Sequence, residues 1–195
     1  MSITRSSGNL VASGAADISF GTGSTHNICA FSDVDITINT TGTTTKTITT
    51  TGNIDCKTID LSNPNSTFVV DGETVTLDIQ LDIEEGTFQI TSGTLNLDDN
   101  TADACILVTS TALLDIDGGT INIGESGFST GDIEMTDGTI DVSGGVLNIA
   151  DELDVAGGTI TQSGGIINIK SYTGCLLYTS PSPRDRTRSR MPSSA

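Results

Sequence analysis

The sequence predicts an all-β chain, a β-solenoid built as a right-handed parallel β-helix with three short strands in each turn of about twenty residues. Three observations predict it. First, a glycine followed by alternating apolar and polar residues recurs: G-T-I-N-I from Gly119, G-T-I-D-V from Gly138, G-V-L-N-I from Gly145, G-T-I-T-Q from Gly158 and G-I-I-N-I from Gly165. Second, these copies are periodic. The spacing from Gly119 to Gly138 is 19, while those from Gly138 to Gly158 and from Gly145 to Gly165 are each 20. The related stretches at Leu113, Asp132 and Glu152 recur at 19 and 20. Third, the alternation has period two and is rich in threonine, isoleucine and valine, which favours strands and opposes a helix.

Each strand is too short to stand alone, so its hydrogen bonds must come from the turns above and below. Glycine clusters such as D-G-G, S-G-G and A-G-G supply the corners, where positive φ costs glycine little. Ile121, Ile123, Ile140, Val142, Leu147, Ile149, Leu153, Val155, Ile160, Ile167 and Ile169 are expected to point inward. Each buried Ile, Leu or Val contributes roughly 1.5–3 kcal/mol.

In chain order, residues 1–30 read as an irregular N-terminal segment able to cap the solenoid, because an open end of stacked strands invites aggregation. The solenoid itself spans 31–174. Residues 34–60 give early, imperfect turns marked by Val34, Ile36, Ile38 and Ile48. Residues 67–97 carry the same motif, with Gly86 and Gly93 spaced by 7, as are Gly138 and Gly145 and also Gly158 and Gly165. Residues 98–112 break the pattern with D-D-N-T-A-D-A and are expected to form an extended corner loop.

Residues 175–195 differ in kind. Cys175 through Asp185 read C-L-L-Y-T-S-P-S-P-R-D, and Ser189 through Ala195 read S-R-M-P-S-S-A. This resembles the in-frame translation of a transposase adapter used in sequencing libraries, followed by its flow-cell end. The resemblance implies that 175–195 is a disordered, non-native tail, that the gene was read from a short environmental fragment, and that the solenoid is truncated. The tail is therefore excluded from fold and function.

Composition narrows the function. The 195 residues carry a net charge of −17, with no tryptophan and 4% aromatic residues. Arg184, Arg186, Arg188 and Arg190 all lie in the tail. Without it, Arg5, Lys46, Lys57 and Lys170 face 24 acids (25 less Asp185), about −20. Such a surface repels nucleic acid and anionic membrane. The first twenty residues have no basic region followed by an apolar run, and no stretch is long and apolar enough to insert in a membrane. The missing signal implies either an incomplete N-terminus or a protein that needs none. Cys29, Cys56 and Cys105 form no C-x-x-C pair, so zinc is not expected. They read as buried small residues, with a Cys29–Cys56 bridge as the alternative in an exported chain.

The candidate site is an acidic column. Asp115, Glu134 and Asp154 recur at 19 and 20, and Asp132 and Glu152 form a neighbouring pair 20 apart. Stacked about 4.8 Å apart, such carboxylates repel, and a bound Ca²⁺ would relieve them. The bland reading is a solvated acidic face with ordinary counterions. The G-G-x-G-x-D nonapeptide of calcium-binding β-rolls is absent. A second column is Thr120, Thr139 and Thr159, followed two places on by Asn122, Asp141 and Thr161. Asn148 and Asn168 make a third. Hydrogen-bonded ladders are the expected use of these columns, with ice binding a minor alternative. Catalysis is not expected: His26 is the only histidine and reads as a surface residue, and sugar-stacking aromatics are scarce.

The repeats from about 34 to 170 resemble those of large bacterial surface adhesins and autotransporter passenger domains, which share turns of the G-G-T-[IL]-[ND]-[IV] type. The resemblance implies an elongated, non-catalytic structural or adhesive module, extracellular or on a cell surface. Its partner would be a surface glycan or protein, and end-to-end or self-association fits the same reading. A virion tail-fibre or spike protein is the alternative, and a carbohydrate-active β-helix enzyme a minor one.

Overall fold

The computed structural model describes residues 45–97, 105–124 and 131–174, together with the backbone of five short strands at Ala12–Ser13, Asp17–Ser19, Thr25–Ile28, Phe31–Ser32 and Asp35–Ile38. Side chains are described at 45, 47–97, 106–124 and 131–169. The described chain is all β and winds as a parallel solenoid of about five turns. No helix among the described residues is long and apolar enough to cross a membrane.

Every turn visits three faces in a fixed order. An acidic face stacks 58–61, 80–83, Cys105–Val108, Asp132–Met135 and 153–155 in parallel register. A threonine face stacks Lys46–Thr50, 67–70, 87–90, Leu113–Ile116, Thr139–Val142 and Thr159–Gln162. An asparagine face stacks 54–56, 75–77, Thr94–Leu97, Thr120–Ile123, 146–149 and 166–169. The long strands Ile54–Val70 and Thr74–Ile90 bend through several faces without losing their pairing.

Alternation decides which side chains are inside. The four-residue rungs repeat one pattern, an outward residue followed by a buried apolar one, twice, and the outward residue is polar everywhere but at Leu113. Ile59, Leu81, Ile106 and Ile133 follow one another on the acidic face, and Leu95, Ile121 and Leu147 on the asparagine face, all fully or almost fully buried. Phe68 and Phe88 stack with ring centroids 5.3 Å apart. All the inward positions read from the sequence face the core, although Val155, Ile160, Ile167 and Ile169 are only partly covered. Cys56 is buried on the asparagine face. Cys29 lies outside the described residues.

Glycine at the corners answers a close approach as well as a turn. Gly145 has φ 64°, and a Cβ there would lie 2.5 Å from the Gly118 carbonyl oxygen of the preceding coil.

Three expectations need correction. The period is not uniform. On the asparagine face, Asn122 follows its partner Asn96 at an offset of 26, and Asn148 follows Asn122 at 26, whereas Asn168 follows Asn148 at 20. Both long coils carry their extra length where the chain leaves the asparagine face for the acidic one, between Leu97 and Cys105 and between Ile123 and Asp132. Gly119 and Gly138 therefore open different faces, and their spacing of 19 is not a turn of the solenoid. Residues 98–112 are not one loop, since Cys105–Val108 is a rung of the acidic face. The segment 1–30 is not wholly irregular either. Asp17–Ser19 and Thr25–Ile28 already pair in parallel with Asp35–Ile38 and Lys46–Thr50. These strands are so short that alternation hardly registers in the sequence.

Candidate functional site

The acidic face brings some of the predicted carboxylates together and leaves one elsewhere. Its second outward position runs Asp60, Asp82, Leu107, Glu134, Asp154 from coil to coil. Glu134 and Asp154 are register partners, both exposed. Leu107 separates them from the Asp60–Asp82 pair. Asp132 and Glu152 are also brought together: the Glu152 backbone N–H donates to Asp132 Oδ1 at 3.0 Å. Burial raises the Asp132 carboxyl above its usual range. The hydrogen bond from Glu152 opposes this, while the charges of Asp151 and Glu152 add to it.

Asp115 does not belong to this column. It lies on the threonine face, between Gln89 and Asp141. The amide of Gln89 donates to Asp115 Oδ2 at 3.0 Å and to Asp117 Oδ2 at 2.9 Å. Ser143 Oγ donates to Asp117 Oδ1 at 2.8 Å. Burial raises the Asp115 carboxyl, the charges of Asp117 and Asp141 raise it further, and the Gln89 hydrogen bond lowers it. The spacing of 19 from Asp115 to Glu134 joined two faces, whereas the true partner, Asp141, lies one long coil further along the chain.

Sequence reading missed the Asp60–Asp82 pair. Burial pushes both carboxyls above the usual range, and the Glu84 charge adds to each. Asp60 Oδ1 is shut from solvent and meets no donor among the described residues. The signal was available, because D-L and D-I recur in T-I-D-L and Q-L-D-I at a spacing of 22.

Among the described residues, no group of three or more His, Cys, Asp or Glu is arranged to hold a metal ion. Paired carboxylates on adjacent rungs offer fewer oxygens than the six to eight that Ca²⁺ takes. The backbone of His26 stands in register with Ile48.

The asparagine face carries the most regular chemistry. Asn122 Nδ2 donates to Asn96 Oδ1 at 2.9 Å, Asn148 to Asn122 at 2.8 Å, and Asn168 to Asn148 at 2.8 Å. One amide column thus runs through four coils. Asn122 belongs here, and not beside Asp141 as its place in the threonine column implied. Thr139 and Thr159 do stack, but Thr120 pairs with Thr94 and Val146. The first outward position of this face therefore reads Thr74, Thr94, Thr120, Val146, Ile166. From Thr74 onward, ten outward positions over five coils hold no charge, whereas Asp55 stands outward on the rung before them.

Compared with known proteins, the chain matches no family model, no curated protein sequence and no solved structure.

Proposed function

We propose that the chain is a structural and adhesive module of an extracellular or cell-surface protein, with no catalytic role. The observation that carries this reading is the use of the outward polar groups. The asparagine amides bond to their own kind along the solenoid axis, and on the threonine face Gln89 donates to Asp115 and Asp117 and Ser143 donates to Asp117 across adjacent coils. Groups consumed in this way stiffen a rod and present flat, repeating faces. They do not converge on one point, as acid–base or nucleophilic chemistry requires.

A stack of parallel coils with its polar groups bonded along the axis resists local opening. That property suits a spacer or stalk that must project a ligand-binding surface while exposed to proteases. The negative charge keeps the rod soluble and turns it away from anionic partners. An uncharged glycan or a protein surface is the fitting ligand class.

Beads coated with the full chain test this reading. They should be retained on cell surfaces or a glycan array above beads coated with serum albumin, and the chain should resist proteinase K at neutral pH. Retention no better than albumin would overturn the adhesive role. Depolymerisation of an acidic or neutral polysaccharide by the purified chain would replace it with an enzymatic one.

A further inference from the structure

Three Asp-Gly dipeptides occur in the chain: Asp71–Gly72, Asp117–Gly118 and Asp137–Gly138. In such a pair the main-chain nitrogen after the aspartate meets little obstruction on its way to the side-chain carboxyl, because glycine has no Cβ and turns freely. All three aspartates lie at corners of the solenoid and are exposed. Gly72 and Gly138 both have positive φ. Neither sequence nor exposure separates the three.

Hydrogen bonding does. Thr91 Oγ1 and Ser92 Oγ, on the next coil, donate to Asp71 Oδ1 at 3.1 and 2.9 Å. The Gly72 N–H donates to the Ser92 carbonyl oxygen at 3.2 Å. Asp117 is held in the same manner, by Gln89 at 2.9 Å and Ser143 at 2.8 Å, and the Gly118 N–H donates to the Ile90 carbonyl oxygen at 3.1 Å. In both pairs the carboxylate and the glycine nitrogen are tied to neighbouring coils. Asp137 differs on both counts. The Gly138 N–H donates to Asp137 Oδ1 itself, at 2.9 Å. Among the described residues, no side chain of another coil donates to this carboxylate, and no main-chain carbonyl accepts from the Gly138 nitrogen.

We propose that Asp137–Gly138 is a modification site, where the folded chain converts aspartate to isoaspartate. The Gly138 nitrogen bonds to Asp137 Cγ. Its proton and the carboxyl hydroxyl leave as water, and a five-membered succinimide forms. Water then attacks the former main-chain carbonyl carbon of Asp137. The C–N bond there breaks, and its electron pair stays on the nitrogen, which remains bonded to Cγ and takes a proton. The main chain now runs through the Asp137 side chain, one methylene longer, and the old carbonyl is a free carboxylate. One water leaves and one enters, so no other reactant is needed. At Asp71 and Asp117 the same closure must first break two charge-assisted hydrogen bonds and one main-chain bond.

The added methylene falls where the coils are tied. The Thr139 N–H donates to the Ala112 carbonyl oxygen at 2.9 Å, and the Gly138 carbonyl oxygen accepts from the Thr159 N–H at 3.0 Å. A Cβ at Gly138 would lie 2.7 Å from the same Ala112 oxygen, so this corner has no slack. Isoaspartate at 137 therefore loosens the threonine face at Thr139–Val142. This chemistry is independent of what the faces bind.

Prolonged incubation of the folded full chain at mildly acidic pH tests the proposal, read by peptide mapping with mass spectrometry that separates isoaspartyl from aspartyl peptides. A second sample is incubated in guanidinium, where none of the three corners is held. In the folded chain isoaspartate should accumulate at 137 at least about tenfold faster than at 71 or 117, and in guanidinium the three rates should converge. The aged chain should melt below the fresh one. Asp137→Glu, which closes only through a slower six-membered ring, should keep its melting temperature over the same incubation. Isoaspartate that gathers at 71 or 117 as fast as at 137 in the folded chain overturns the proposal, as does its formation at 137 only in guanidinium. An equal fall in melting temperature for aged Asp137→Glu overturns the loosening of the threonine face.

Discussion

Asn122 sits at the centre of the amide ladder, accepting from Asn148 and donating to Asn96. Removing it leaves Asn96 Oδ1 without that donor and Asn148 Nδ2 without that acceptor, although Asn148 still accepts from Asn168. Asn122→Ala should lower the unfolding free energy by about 1–2 kcal/mol in urea titration, more than the same change at the end of the ladder, Asn168. Equal costs at the two positions would mean that the ladder adds nothing beyond side-chain packing. Gly145 makes a different demand. Its positive φ and the Gly118 carbonyl beneath it both exclude a Cβ. Gly145→Ala should cost about 1–3 kcal/mol or more, read from the same titration. Both residues were visible in the sequence as repeats. The identity of the neighbour each would meet was not, because that depends on coil length.

At the scale of the rung, the stacked acids set a pH dependence opposite in sign to ordinary acid denaturation. Asp60, Asp82, Asp115 and Asp132 all have carboxyls raised in the folded state, chiefly by burial. Between the unfolded value, near pH 4, and the raised folded values, the folded state holds more protons than the unfolded state. Stability is therefore greatest toward the acid side of that window and falls as pH rises through the folded values. The melting temperature should be higher at about pH 4.5 than at about pH 7.5. Asp60→Asn with Asp82→Asn should flatten the difference and raise the melting temperature at neutral pH. A melting temperature that rises steadily with pH would contradict this account.

The same rungs explain what was legible. Alternation in G-T-I-D-V or G-V-L-N-I identifies a strand and its buried side without ambiguity, because the side-chain period is two. The three strands per turn follow from the recurring close glycine pairs, such as Gly138 with Gly145. Face assignment is harder, since the threonine and asparagine faces open with nearly the same motif. Gly119 and Gly138 look like equivalent corners and are not. The two long coils place the ambiguity where the candidate acids lie, so the spacing alone groups Asp115 with Glu134 and hides its register partner Asp141.

Across the whole molecule, stability is a sum of coil-to-coil contacts, with each coil touching only its neighbours. The fully buried rungs between Ile54 and Val142 should exchange their amides most slowly. The final coil, with Ile160, Ile167 and Ile169 only partly covered, should open first. Hydrogen exchange followed by mass spectrometry reads this gradient, and uniform protection to residue 169 would argue against it. The functional reading rests on the same geometry, because a rod with self-bonded faces requires that the coils stack in the stated register.

That register is open to direct trapping. With the native cysteines replaced by alanine, Asn122→Cys and Asn148→Cys fall on adjacent rungs of one face. Adjacent rungs lie about 4.8 Å apart, within the range a disulfide spans. Thr120→Cys with Thr139→Cys, one apparent glycine repeat apart, fall on different faces. The account predicts that mild oxidation closes the first pair and leaves the second as thiols. Closure of the second pair, with the first left open, would mean that the coils wind with a uniform period near twenty and that the three faces are wrongly drawn.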